Sequence, residues 1–213
     1  MVRKLLNFFF IYLFISFKNI YTFTVVINFI IIMNLKLFRK FQLLFSSITF
    51  FLTIYFFLNL TGLNIYSIQL SKFSYNFSYS FFWNWLLVVF GVILFFNSFC
   101  YITDKKINYK ILISFLIYSS SVSLIFTGLL DISHQPYHDF FSFYYFICFP
   151  LGLFLLSHFN PGKLTVREWR LNLITSILLI FIPLISIPFF KGMAVAEILH
   201  SCIVFYWSFK TID

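Results

Sequence analysis

Charge is what this chain has least of. Only 10% of its 213 residues are Asp, Glu, Lys or Arg, against about 25% in ordinary globular domains. That scarcity excludes a soluble fold, because a water-facing surface needs more polar side chains than are present. Acids are the scarcer sign, 6 against 15 basic residues. Cysteine is sparse too. Cys100, Cys148 and Cys202 each lie in an apolar run, so they read as small buried hydrophobes and not as a disulfide or metal framework. The sequence has no P-loop, no Gly-rich dinucleotide turn and no Gly-x-Ser-x-Gly elbow, so these nucleotide and serine-hydrolase signatures are missing.

What the chain does have is apolar length. It is 62% hydrophobic, with a mean hydropathy of +0.97. Lipid is therefore the solvent for most of it, and the bilayer is its first partner. No polar block is long enough to form a separate domain. The net charge of +9 reads as basic loops that set orientation and meet anionic headgroups, not as a nucleic-acid surface. The 36 Phe and 13 Tyr look like the mutational bias of an AT-rich genome, which weakens any inference from a single aromatic residue.

Six runs have the length of about 20 residues that crosses a hydrocarbon core: 42–60, 81–102, 111–130, 136–158, 171–190 and 192–209. Lipid-facing strands would alternate polar and apolar residues, and these runs do not. Backbone groups in lipid must be satisfied internally, so each run is expected to be a helix. The stretch before them, 1–33, holds two shorter apolar runs split by Lys18. It reads as a hydrophobic N-terminal extension of undecided topology, and 34–213 as one six-helix transmembrane domain.

The loops assign the sides. Lys36, Arg39, Lys40, Lys105, Lys106, Lys110, Lys163, Arg167, Arg170 and Lys210 fall in connections on one side, and only Lys72 and Lys191 on the other. Basic residues favour the cytoplasm. Both ends of the six-span core are therefore expected inside a bacterial inner membrane. Trp83 and Trp85 near outer ends, with Trp169 and Trp207 near inner ends, suggest an interfacial belt. The outward loop 61–80, rich in Ser, Asn and Tyr, is expected to pack as a lid. Ser119, Ser120, Ser121, Ser123 and Thr127 in the third span suggest close helix packing through small and hydroxyl side chains.

Ionisable residues concentrate around 128–139, where Asp131, His134, His138 and Asp139 fall on the outer turn between the third and fourth spans. Pro136 suits a first helical turn, where its missing N–H costs nothing. Asp139 suits a helix start electrostatically. His134 and His138 are four apart, but Pro136 between them keeps them off one regular face. Glu197 and His200 are three apart in the sixth span and share a face. At 1.5 Å per residue they lie roughly 8 Å and 12 Å in from Gly192. Ionisable groups at such depth usually face a bundle interior or a wet cavity.

Three readings compete for this set. Glu197 bonds a neighbouring helix or His138 while the aspartates stay solvated. Alternatively, the groups line a pocket for a ligand, ion or proton path. In the third reading, His and Asp/Glu hold a metal that activates water, as in a membrane-embedded hydrolase. The residues alone do not decide whether the protein is an enzyme, nor which cofactor, small molecule or lipid it takes.

Three places resemble the uncharacterised prokaryotic membrane family called domain of unknown function 998, over 45–213. The first is Ser67-Ile68-Gln69-Leu70-Ser71-Lys72-Phe73 followed by Trp83-Asn84-Trp85-Leu86 up to Gly91. The second is Gly128 with His138 and 140–143. The third is Gly192, Glu197 and Trp207. Lys72 stands where an acid is common in that family, Trp83 where Phe is, and Ile198 where Arg follows the glutamate. The resemblance implies a polytopic fold with no established activity, and it adds Asn84 beside His138 and Glu197 as a candidate site position.

Overall fold

The computed structural model describes residues 35–62, 80–103, 105–130, 134–189 and 193–212. The N-terminal extension, Asp131 and all but the ends of the expected lid lie outside them. By internal contacts the chain divides into two units, Met1–Phe41 and Gln42–Asp213. Of the first, only 35–41 is described, as the start of a helix. The architecture that follows is that of the second.

The protein is all-α. Among the described residues six helices follow one another: α1 (Leu35–Thr61), α2 (Ser80–Thr103), α3 (Lys110–Leu129), α4 (Gln135–Phe159), α5 (Val166–Phe189) and α6 (Ala194–Thr211). Five of them, α1 to α5, are long and apolar enough to cross a membrane, as in a multi-pass membrane protein. α6 is not among the five. Its 18 residues include Glu197, His200 and Lys210, which lower its hydropathy, although it spans roughly 27 Å. One face of it is held in the bundle, with Val204, Trp207 and Ser208 fully buried, while Leu199, Tyr206 and Phe209 on the other are exposed. The outer faces of the other helices are apolar: Phe115, Phe143, Phe181 and Leu184 are all exposed. Such a surface is stable against lipid and unstable against water.

Consecutive helices pack side by side from α2 to α6, and α6 returns to touch α2. α1 joins them through Phe50, whose ring lies 5.7 Å from Trp83 of α2 and 5.8 Å from Phe205 of α6. α2 and α3 meet at glycines. A Cβ on Gly128 would fall 2.5 Å from the Asn84 carbonyl oxygen, and one on Gly91 would fall 2.9 Å from the Ile125 backbone nitrogen. The α3 hydroxyls serve packing, as their spacing suggests. Ser120 and Ser121 bond back to the Ile117 carbonyl, while Ser123 reaches the Phe141 carbonyl of α4 at 2.8 Å.

The end of the bundle carrying the 104–109 and 160–165 connections is tied by side chains. Thr165 and Glu168 form a capping box at the start of α5: the Glu168 carboxylate accepts from the Thr165 N–H at 3.0 Å, and the Glu168 N–H donates to Thr165 Oγ1 at 3.2 Å. Lys105 pairs with the same carboxylate and lies 4.6 Å over the Tyr101 ring. Asn108 bonds to Asn160 and Lys163 across the two connections.

Two sequence expectations are corrected here. Trp83 and Trp207 are not interfacial: both are buried, Trp207 completely. Trp207 donates through Nε1 to Asn172 Oδ1 at 2.8 Å, and Asn172 Nδ2 donates to the Tyr101 hydroxyl at 2.9 Å. A lone amide in α5 gave the indole an interior partner, so the belt position lost. The cysteines are free but not buried. Cys202 is exposed, and Cys100 and Cys148 are half-buried, so all three sit toward the apolar outside of the bundle.

Candidate functional site

A cavity of about 60 Å³ lies between the helices toward the end opposite the basic connections. That is several times the about 10–15 Å³ that one water needs. α4 supplies one wall with a stripe at helical spacing, His138, Ser142, Tyr145 and Phe146. α6 supplies Glu197, His200 and Ser201 on the facing side. Phe50, Trp83 and Phe90 close it with aromatic rings, and Thr127 and Leu124 come from α3.

His138 owes its position to Pro136. The proline occupies the first turn of α4 behind the His134 cap position, where a missing N–H costs nothing. Two residues later His138 turns inward, with 2% of its surface exposed. Its Nδ1 is 2.7 Å from the Leu130 carbonyl at the end of α3. A carbonyl only accepts, so Nδ1 carries the hydrogen, and in the neutral ring Nε2 is left as an acceptor. The side chain thereby ties the start of α4 to the end of α3.

His200 is different. It is 1% exposed, and neither ring nitrogen has a hydrogen-bond partner among the described residues. Its ring stands edge-on to Phe146 at 4.5 Å and to Tyr145 at 5.3 Å. The Tyr145 hydroxyl, also buried, has no partner among them either. Burying a polar group without a hydrogen bond costs about 1–3 kcal/mol, and His200 and Tyr145, from the two facing sides of the cavity, carry three such atoms between them. Between them they offer one imidazole donor, one imidazole acceptor and a hydroxyl that does both.

Of the residues singled out from the sequence, His138, Glu197 and His200 come together on this cavity. The i, i+3 spacing of Glu197 and His200 does place both on one face. Asp131 lies outside the described residues. His134 is exposed at the start of α4. Asp139 is half-buried, one position beyond the first turn of α4, and does not line the cavity. Asn84 is half-buried, and its backbone carbonyl is what Gly128 packs against. Tyr145 went unremarked in the sequence. It lies seven residues after His138, two turns along the same face, and that spacing was the available signal. Among the described residues, no group of three His, Cys, Asp or Glu side chains is placed to hold a metal ion.

No protein-family model, no curated protein and no solved structure matches the chain.

Proposed function

We propose that this chain is a multi-pass protein of a bacterial cytoplasmic membrane, with both ends of its bundle inside. In this reading it binds a small ligand in the His138–Glu197–His200 cavity, in a binding, transport or regulatory role. One observation carries the ligand: His200, fully buried, has two unpartnered ring nitrogens on the wall of a cavity it shares with a second histidine and a glutamate. Ionisable groups at such depth mark ligand or ion sites more often than packing. The walls suit a molecule with a compact apolar body and at least one donor and one acceptor. Membership in the domain of unknown function 998 family belongs to the same proposal, resting on the short motifs around Asn84, His138 and Glu197.

The hydrolase alternative requires three ligands within reach of one metal ion. His138, Glu197 and His200 share the cavity, yet among the described residues no three His, Cys, Asp or Glu side chains are close enough to hold an ion together, so ligand binding is the preferred reading.

The experiment is a thermal-shift screen of the purified protein in detergent against small polar molecules. Binders that stabilise the wild type are expected to lose their effect in His200→Leu and in Glu197→Gln. They should keep it in Asp139→Asn. Stabilisation that survives both cavity substitutions places the ligand elsewhere and ends this assignment. The orientation has its own check. Topology reporters fused after Lys110 and after Asp131 should report the cytoplasm and the outside respectively, and identical signals would overturn the side assignment.

A further inference from the structure

Around the His200 cavity, several polar side chains have spent their hydrogens on the backbone. The Thr127 hydroxyl donates to the Ser123 carbonyl at 3.0 Å, the Ser201 hydroxyl to the Glu197 carbonyl at 2.8 Å, and His138 Nδ1 to the Leu130 carbonyl at 2.7 Å. All three residues line the cavity. What they still offer is lone pairs, on two hydroxyl oxygens and on His138 Nε2. His200, Tyr145 and Ser142 each keep a donor but bring an acceptor with it. The polar walls are therefore richer in acceptors than in donors, before the Glu197 carboxylate is counted. Rings form much of the rest. Phe50, Trp83, Phe90, Tyr145 and Phe146 come from α1, α2 and α4, and aromatic faces attract cations. Among the described residues no lysine or arginine lines the cavity, so a phosphate or carboxylate would meet no opposite charge there. The volume of about 60 Å³ holds roughly four to six water-sized groups, against about 300–1,000 Å³ in a pocket for drug-sized ligands.

Building on the ligand-binding reading of this cavity, we infer that its occupant is a short amino alcohol in its ammonium form, a cation of about five non-hydrogen atoms. The ammonium group brings N–H donors and no acceptor, which is what His138 Nε2 and the spent hydroxyl oxygens lack, and the surrounding rings favour its charge. The hydroxyl both donates and accepts, so it answers the His200 imidazole and the Tyr145 hydroxyl. The methylenes between the two groups lie against Leu87 and Leu124, which also line the cavity. A diol of the same length would supply fewer hydrogens and no charge. A hydroxy acid would add acceptors where acceptors are already in excess. An alkylamine would leave the His200 N–H unanswered.

Thermal unfolding of the purified full-length protein in detergent at neutral pH tests this with four probes of matched length: aminopropanol, propanediol, butylamine and hydroxypropionate, each substituted at its chain ends. The amino alcohol should raise the unfolding midpoint at the lowest concentration. The diol and butylamine should each need at least about tenfold more, because each lacks one buried hydrogen-bonding group, and the hydroxy acid should have no effect. In His200→Leu the effect of the amino alcohol should be lost. In Tyr145→Phe, which keeps the ring and removes the hydroxyl, it should weaken while the effect of butylamine stays. Stabilisation by the diol or the hydroxy acid that equals the amino alcohol's and is lost in His200→Leu overturns the amine, yet leaves the cavity a ligand site. Stabilisation by the amino alcohol that survives unchanged in both variants overturns the amine and the cavity together. No stabilisation by any of the four overturns the amine alone, since the wider screen of polar molecules still tests the cavity.

Discussion

Two polar clusters in the interior of this bundle are built on opposite principles. In the first, Asn172, Trp207 and Tyr101 answer one another: the amide accepts from Trp207 and donates to Tyr101, and the Trp207 ring stands edge-on against Tyr101 at 5.7 Å and Phe149 at 5.4 Å. Around His200, the aromatic packing is just as tight, yet both imidazole nitrogens and the neighbouring tyrosine hydroxyl have no partner among the described residues. Both clusters were moved out of water at similar expense. In the first, hydrogen bonds between α2, α5 and α6 return that expense as a fixed helix arrangement. In the second the protein leaves it outstanding. A polar cluster that closes on itself is structural, whereas one that stops short at a cavity wall is suited to a ligand.

The largest effect that can separate them comes from Asn172→Leu. The substitution keeps the bulk and removes both hydrogen bonds, leaving the Trp207 indole N–H and the Tyr101 hydroxyl buried and unanswered. Each orphaned group costs about 1–3 kcal/mol in a soluble interior. Helices unfolded within a bilayer find substitute partners, which lowers the figure, so a total loss of about 2 kcal/mol is expected. Unfolding of the detergent-solubilised protein by denaturing detergent measures it. An unchanged midpoint would mean that the network contributes nothing to the fold, and the contrast with His200 would fall with it.

The two clusters also differ in how far the sequence revealed them. The helices were legible because lipid imposes one rule, a long apolar run between polar connections, and the observed boundaries of α2, α3 and α4 follow the runs within a residue. Glu197 and His200 were legible because charged and imidazole groups are conspicuous in apolar sequence and a spacing of three fixes their common face. The Asn172 network was not. Asn172 is a single amide among apolar neighbours, and Trp207 lies near a helix end, where an interfacial tryptophan is the ordinary outcome. Nothing in the sequence says that α2 and α5 bring Tyr101 and Asn172 up to α6. Tyr145 was hidden differently: it follows Tyr144 in a chain with 13 tyrosines, so its two-turn offset from His138 carried no weight until the cavity was seen. Asp131 and Asp139 drew attention by charge, yet of the two only Asp139 is described, and it lies one position past the first turn of α4 and off the cavity.

His200→Leu is the smaller and sharper test of the comparison. Leucine fills a similar volume and removes two buried polar nitrogens that the protein does not answer. Relief of that desolvation is worth about 1–3 kcal/mol. Against it stands the loss of the edge-on contacts to Phe146 and Tyr145, worth about 0.5–1.5 kcal/mol for such pairs. The two nearly cancel, so the ligand-free variant should unfold within about 1 kcal/mol of the wild type, on the stabilising side if either. The sign is what matters. A histidine that served the fold, as Asn172 does, would cost stability when removed, and a loss matching that of Asn172→Leu would show that His200 is structural. A neutral or raised midpoint, together with loss of stabilisation by any binder, means that the imidazole is kept at the expense of the fold for what it holds in the cavity.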